Sequence, residues 1–351
     1  MSWQDRQYGS SDGGGGFGNA VRRIFGDGEN PLSWALPLYT AWGIAVKVHI
    51  FYVIFIIIEL IRSIPAGGMG LTYAAIWMAT LFVLVLLHEY GHCIACRRVE
   101  GDADRILMWP LGGLAYCMPP HTWQAHLITA IGGPMVNVVL WPVLGVLLWL
   151  ATGSLSSVIF NPFDWNLAFH SLATRADTQP LWLITLWFAY FMNAVLLGFN
   201  MLLPMYPMDA GRVLQTFIWR AKGYARSMRI ATISGMVVAG ILAVVAITMQ
   251  EMLLFAIALF GGITCWIEKR RIDVEGIGEF EGYDFSRGYQ GMPDARPARS
   301  GRAAERRRKR EAREQAELER ILDKIKTSGM GKLSKRERRF LERESKRRRD
   351  D

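Results

Sequence analysis

Apolar residues fall in long unbroken runs over the first three quarters of this chain, and polar residues dominate both ends. A helix that crosses a bilayer needs about 20 mostly apolar residues. Six stretches meet or approach that need: residues 46–64, 71–96, 124–150, 181–206, 229–248 and 251–267. The last two are joined only by Gln250, Glu251 and Met252, which requires a tight hairpin. The first opens on "AWGIAVKVHIFYV", where apolar and polar residues alternate with the period of a strand. Its start is therefore expected as a β element at the membrane interface.

Between the second and third runs, "RILMWPLGGLAYCMPP" (residues 105–120) is apolar but interrupted by Pro110, Gly112 and Gly113. It is too broken for a helix and too apolar for a free loop. Non-helical backbone at membrane depth survives only where protein covers it or a wet cavity adjoins it. The expected form is a re-entrant, β-like hairpin against the second helix.

Charge then orients these elements. The chain has 40 Lys and Arg against 31 Asp and Glu, a net +9. Residues 302–351 carry 20 of the basic and 11 of the acidic residues, so the remaining 301 balance at 20 of each. Short cytoplasmic loops of membrane proteins are enriched in Lys and Arg. With both termini cytoplasmic, the inner loops hold Arg97, Arg98, Arg105, Arg212, Arg220, Lys222, Arg226, Arg229, Lys269, Arg270 and Arg271, and the outer loops only Arg62 and Arg175. The polar, glycine-rich start gives no basic-then-apolar secretory signal, so insertion is expected to rest on the internal runs. Cys93, Cys96, Cys117 and Cys265 lie in or beside apolar segments, not in a disulfide framework.

The second run contains the chemistry. In "LFVLVLLHEYGHC", His88 and His92 are four apart, so one helix face presents both imidazoles at zinc-binding distance. Glu89 stands one position away, able to reach a water at the metal rather than the metal itself. An ionisable residue inside a span costs on the order of 3 kcal/mol on insertion scales, so three within two turns call for a compensating partner such as zinc.

A catalytic zinc takes three protein ligands. Asp209, in "NMLLPMYPMDAGRVL", is the leading third ligand, at the cytoplasmic end of the fourth run, where Pro204 and Pro207 break the helix. The same Asp is also a good helix N-cap. Cys93 and Cys96 compete as ligands or pack as small apolar residues. His49, His121 and His126 sit at predicted interfaces. Asn137, Asn193 and Asn200 are polar groups in apolar helices, fit either to hold substrate backbone or to join helices by hydrogen bonds.

In order along the chain, "HEYGH" at 88–92, "WPLGG" at 109–113, "GGPMVN" at 132–137 and "NMLLPMYPMDAGR" at 200–212, with "GIAVKVHIFYV" at 43–53, resemble the site-2 proteases, a family of intramembrane zinc metalloproteases. The resemblance covers about residues 40–267. It implies one zinc held by His88, His92 and Asp209, Glu89 as the base, and Asn137 and Asn200 near the substrate. One departure stands out: the family's Asp-Gly-Gly is Asp209, Ala210 and Gly211 here.

The expected architecture is an all-α polytopic membrane protein of about six transmembrane helices with a small re-entrant hairpin and a charged, soluble helical tail. Its parts are a polar segment 1–37, a metalloprotease domain 38–271, a charged linker 272–315 and a basic helical hairpin 316–351. In that hairpin Ser334 and Glu337 form a capping-box pattern. The expected setting is a bacterial cell membrane, with a transmembrane-protein substrate and the bilayer as partners. Anionic lipid, RNA or a protein is the candidate partner of the basic tail. The alternative is a non-catalytic zinc-binding membrane protein whose tail does the recruiting.

Overall fold

The computed structural model describes residues 34–159, 180–206 and 208–275, together with nine positions between 317 and 341. The segments 1–33 and 276–316, and Pro207, lie outside the described residues, and with them most of the expected N-terminal segment and linker.

The chain enters as a β-hairpin of β1 (Ala35–Ala41) and β2 (Ile44–His49). Its two-residue turn puts both Trp42 and Gly43 at positive φ, as a tight hairpin turn requires. The strand-like alternation read at residues 41–53 is thus borne out over Ile44–His49 by β2. The strand before it, β1, went unread, because "ALPLYTA" has a proline and no clean alternation.

Helix α1 (Ile50–Ser63) follows at once, its first turn capped by His49, whose Nδ1 accepts from the Phe51 N–H at 3.1 Å. Its 14 residues make it about 21 Å long, short of the roughly 30 Å of hydrocarbon. Five helices, not six, are long and apolar enough to cross a membrane among the described residues. The difference arises because residues 46–49 belong to the sheet instead of the helix. A short 3-10 turn, Ile64–Ala66, then leads into α2 (Gly67–Arg98).

Strands β3 (Asp102–Trp109) and β4 (Gly112–Met118) form the hairpin expected within 105–120. They join the first pair in one four-stranded sheet of order β1-β2-β3-β4, with β2 and β3 parallel across the α1–α2 crossover. One face of that sheet, including Ile44, Val46, Val48, Ile106, Met108 and Cys117, packs on Val85, Tyr90, Cys93 and Cys96 of α2. The Arg97 guanidinium donates to the carbonyls of Trp42, Gly43 and Ala103, tying the first turn to β3. The sheet therefore lies against the half of α2 that carries the histidines.

The remaining elements are helical: α3 (Trp123–Thr152), α4 (Leu181–Leu202), α5 (Asp209–Lys222), α6 (Tyr224–Met249) and α7 (Met252–Glu275). The linker between α4 and α5 is buried, with Met205 and Tyr206 packed in a core with Met228, Ala239 and Cys265. Cys265 Sγ donates to the Tyr206 carbonyl at 3.1 Å. The last two helices thus hold the chain just before Asp209.

Candidate metal centre

His88 and His92 are buried on α2, and Asp209 is buried as the first residue of α5. Because the two histidines are one helical turn apart, their rings meet with Nε2 to Nε2 at 3.1 Å. Asp209 completes a triangle, Oδ2 at 3.0 Å from His88 Nε2 and Oδ1 at 3.3 Å from His92 Nε2. Its carboxylate does not cap α5. The N-cap alternative is set aside by that geometry.

The outer nitrogens decide the tautomers. His88 Nδ1 lies 2.6 Å from Asn137 Oδ1, and His92 Nδ1 lies 2.8 Å from the Thr129 carbonyl. Both partners only accept, so each Nδ1 carries the hydrogen and each Nε2 is left with a lone pair. A longer contact from the Gly133 N–H to His92 Nδ1, at 3.4 Å, would suit the other tautomer but is outweighed by the shorter bond.

Two lone pairs and a carboxylate facing one another in a buried site repel unless a cation joins them. Tetrahedral zinc with bonds near 2.05 Å needs ligand atoms about 3.3 Å apart, close to the 3.0–3.3 Å found. These three side chains are the metal-binding group among the described residues. Gly133 is fitted to the pair as well: a Cβ there would lie 2.3 Å from His92 Nε2 and 2.7 Å from His88 Nε2, so only glycine leaves the two imidazoles their places. The residues fit zinc.

Glu89 stays outside the triangle, its Oε2 accepting from the Ala115 N–H of β4 at 2.8 Å. A Cβ on Gly113 would meet its Cγ at 2.3 Å, so the second glycine of "WPLGG" makes room for that side chain.

Asn137 is fully buried and committed: Oδ1 faces His88, Nδ2 donates to Asn193 Oδ1 at 2.8 Å, and Asn193 Nδ2 donates back to the Asn137 carbonyl at 2.9 Å. Both polar atoms of that side chain are thus engaged by the protein, one of them by His88. Asn200 donates to the Leu196 carbonyl of its own helix at 3.1 Å, and no contact joins it to the triangle. Cys93 packs in the core, and Cys96 Sγ donates to the Asp102 carbonyl at 3.3 Å, on the sheet side of α2. His121 and His126 pack with Trp219 and Tyr224, away from the triad. Thr129 and Gly133 were missed as site residues. Gly133 entered the sequence reading only as part of "GGPMVN", and Thr129 carried no signal there.

Peptidase family M50 matches residues 76–246, from within α2 to the end of α6 and so across all three ligands. That match covers 171 of the 351 residues and makes the chain similar to the M50 peptidases over its metal triangle. A zinc metalloprotease of Methanocaldococcus jannaschii is 27% identical over 246 residues, 70% of this chain and 64% of its own length. Rip3 of Mycobacterium tuberculosis, named as a zinc metalloprotease, is 26% identical over 200 residues, 54% of this chain and 45% of its own. The chain therefore spans less than two thirds of either relative's length. The solved site-2 protease of M. jannaschii matches 70% of this chain and 99% of its own at 26% identity and a TM-score of 0.47. A second family, of unknown function, matches residues 305–347. With five helices among the described residues long and apolar enough to cross a bilayer, the chain is a multi-pass membrane protein.

The family's Asp-Gly-Gly is tolerated here as Asp209-Ala210-Gly211 because only the last position is crowded. A Cβ on Gly211 would lie 2.7 Å from the Met205 backbone, whereas Ala210 is accommodated as it stands.

Proposed function

We propose that this chain is an intramembrane zinc endopeptidase that hydrolyses peptide bonds in or near transmembrane segments of membrane proteins. The observation that carries the reading is a metal triangle of His88, His92 and Asp209 with Glu89 next to it and not part of it. Zinc, when bound there, supplies Lewis acidity and lowers the pKa of water to about 7. Glu89 takes the proton from the attacking water at its carboxylate and passes it to the leaving amine. Asn137 and Thr129 fix the two imidazoles so that both Nε2 atoms face the ion.

A helical substrate hides its carbonyls, so it must unwind first. The free edge of β4, beside Glu89, offers backbone groups to which an unwound segment adds as a strand. Asn200, near the end of α4, is the remaining side chain proposed to contact substrate.

The Lys and Arg of the loops after α2 and between α4 and α6 support a cytoplasmic face for the site. The competing reading, a structural zinc site, needs a fourth protein ligand. Its best candidate, Cys96, is engaged with Asp102 instead. Purified Glu89→Gln protein tests the choice: zinc retained and cleavage of a transmembrane reporter lost is the expected result, and unchanged cleavage removes Glu89 from its role.

A further inference from the structure

Strand β4 ends the sheet, so among the described residues one of its edges has no neighbouring strand. An edge strand presents its N–H and C=O groups alternately, every second residue facing outward. Ala115 sends its N–H to Glu89 and so faces outward, as then do Gly113 and Cys117. The outward N–H of Ala115 is the group an added strand would need, and it is already occupied. Its occupant is the carboxylate that the proposed chemistry needs elsewhere. Gly113 makes that posture attainable, since a Cβ there would overlap Glu89 Cγ at 2.3 Å and Cδ at 2.7 Å.

We propose that the Ala115 N–H is a docking point shared by Glu89 and the substrate backbone, so that pairing of a substrate strand with β4 frees Glu89 to act as the base. This rests on the reading of the chain as a protease that takes its substrate on β4, and adds the coupling between docking and chemistry. A ligand shifts such an equilibrium only by its differential affinity for the two states. The differential contact is a single hydrogen bond, held by either the carboxylate or a substrate carbonyl. In the resting protein the base is parked, and water at the site meets it only once a substrate segment is in register.

The test compares Glu89→Gln with Glu89→Ala in full-length, zinc-loaded protein in nanodiscs. Both lack the carboxylate, and only Gln keeps an acceptor for the Ala115 N–H. The probe is a synthetic leucine-rich transmembrane peptide with a central Gly-Pro break, and the readouts are its affinity and amide exchange over residues 112–118. Without peptide, the Ala115 amide should exchange on the order of tenfold faster in Glu89→Ala, the scale of one hydrogen bond. Peptide should bind Glu89→Ala severalfold tighter than Glu89→Gln. Adding Gly113→Ala to Glu89→Gln should drive the Gln off and bring both readouts toward Glu89→Ala, an independent route if Glu89→Ala holds zinc poorly. Equal affinity and equal protection of 112–118 in all three proteins overturn the coupling and leave β4 docking intact. A peptide that protects 112–118 in none of them overturns docking on β4 and the coupling with it.

Discussion

At the scale of single residues, the metal centre depends on groups that never touch the ion as much as on its ligands. Gly133 is the sharpest case, because the missing Cβ is the space between two imidazoles. Gly133→Ala is expected to cut zinc from one per chain to near zero while the helices persist, as read by metal analysis alongside circular dichroism. Asn137 acts through His88, and Asn137→Leu keeps the volume but removes the acceptor that sets the tautomer. Zinc affinity should fall about 10- to 100-fold in chelator competition, the usual scale for such outer partners. The H-E-x-x-H spacing was legible because four residues make about one helical turn whatever surrounds the helix. Asn137 was legible as a candidate but not in its role. A buried amide in an apolar helix looks the same in sequence whether it meets substrate or an imidazole.

At the scale of elements, the re-entrant hairpin was readable from its prolines, its glycines and its apolar character. Its pairing with β2 was not, because the partners are separated by all of α1 and α2. The first of the six apolar runs holds a strand and a 14-residue helix: hydropathy sums over residues 46–64 without noticing that the backbone changes state at Ile50. In α2 and α3, the backbones come close where Gly91 faces Gly132, a Cβ on Gly91 meeting the Gly132 carbonyl oxygen at 2.4 Å. This approach lets Thr129, Gly133 and Asn137 reach the histidines.

The tail offers an element-level test. The capping box read from sequence is present, the Ser334 N–H donating to Glu337 Oε2 at 2.7 Å and the Glu337 N–H to Ser334 Oγ at 3.2 Å. The Ser334 N–H and then Lys324 draw the Glu337 carboxyl down from the ordinary 4.5 to about 2. A depressed carboxyl stabilises the fold above its unfolded value and loses that contribution as pH falls through the folded one. The tail cap should therefore hold at pH 5 and fail between about pH 4.5 and 2. The Ser334 amide resonance, followed by NMR, is expected to move with a midpoint far below 4.5, and Glu337→Gln should abolish that step.

At the scale of the whole molecule, charge and apolarity are segregated: residues 1–301 balance at 20 basic and 20 acidic residues, and the net +9 resides in residues 302–351. Such a tail is expected to bind anionic surfaces in a salt-dependent way. Deleting 302–351 should leave zinc content unchanged and abolish low-salt binding to phosphatidylserine vesicles by an otherwise identical detergent-solubilised protein. Retained binding would place the attraction in the loops between helices.

The sequence by itself determined what local geometry and solvation dictate. Apolar runs of spanning length call for a bilayer, and His88, Glu89 and His92 share a turn wherever their helix lies. Only the tertiary structure decided what depends on elements far apart in the chain: that Asp209, about 120 residues on, meets the histidines from a linker buried against α6 and α7. It also decided that only a glycine fits at 133 beside the two imidazoles and that the Ala115 N–H holds the Glu89 carboxylate. Spacing along one helix follows from its 3.6-residue turn. Convergence between helices and an edge strand follows from packing, which no stretch of sequence shorter than the whole fold specifies.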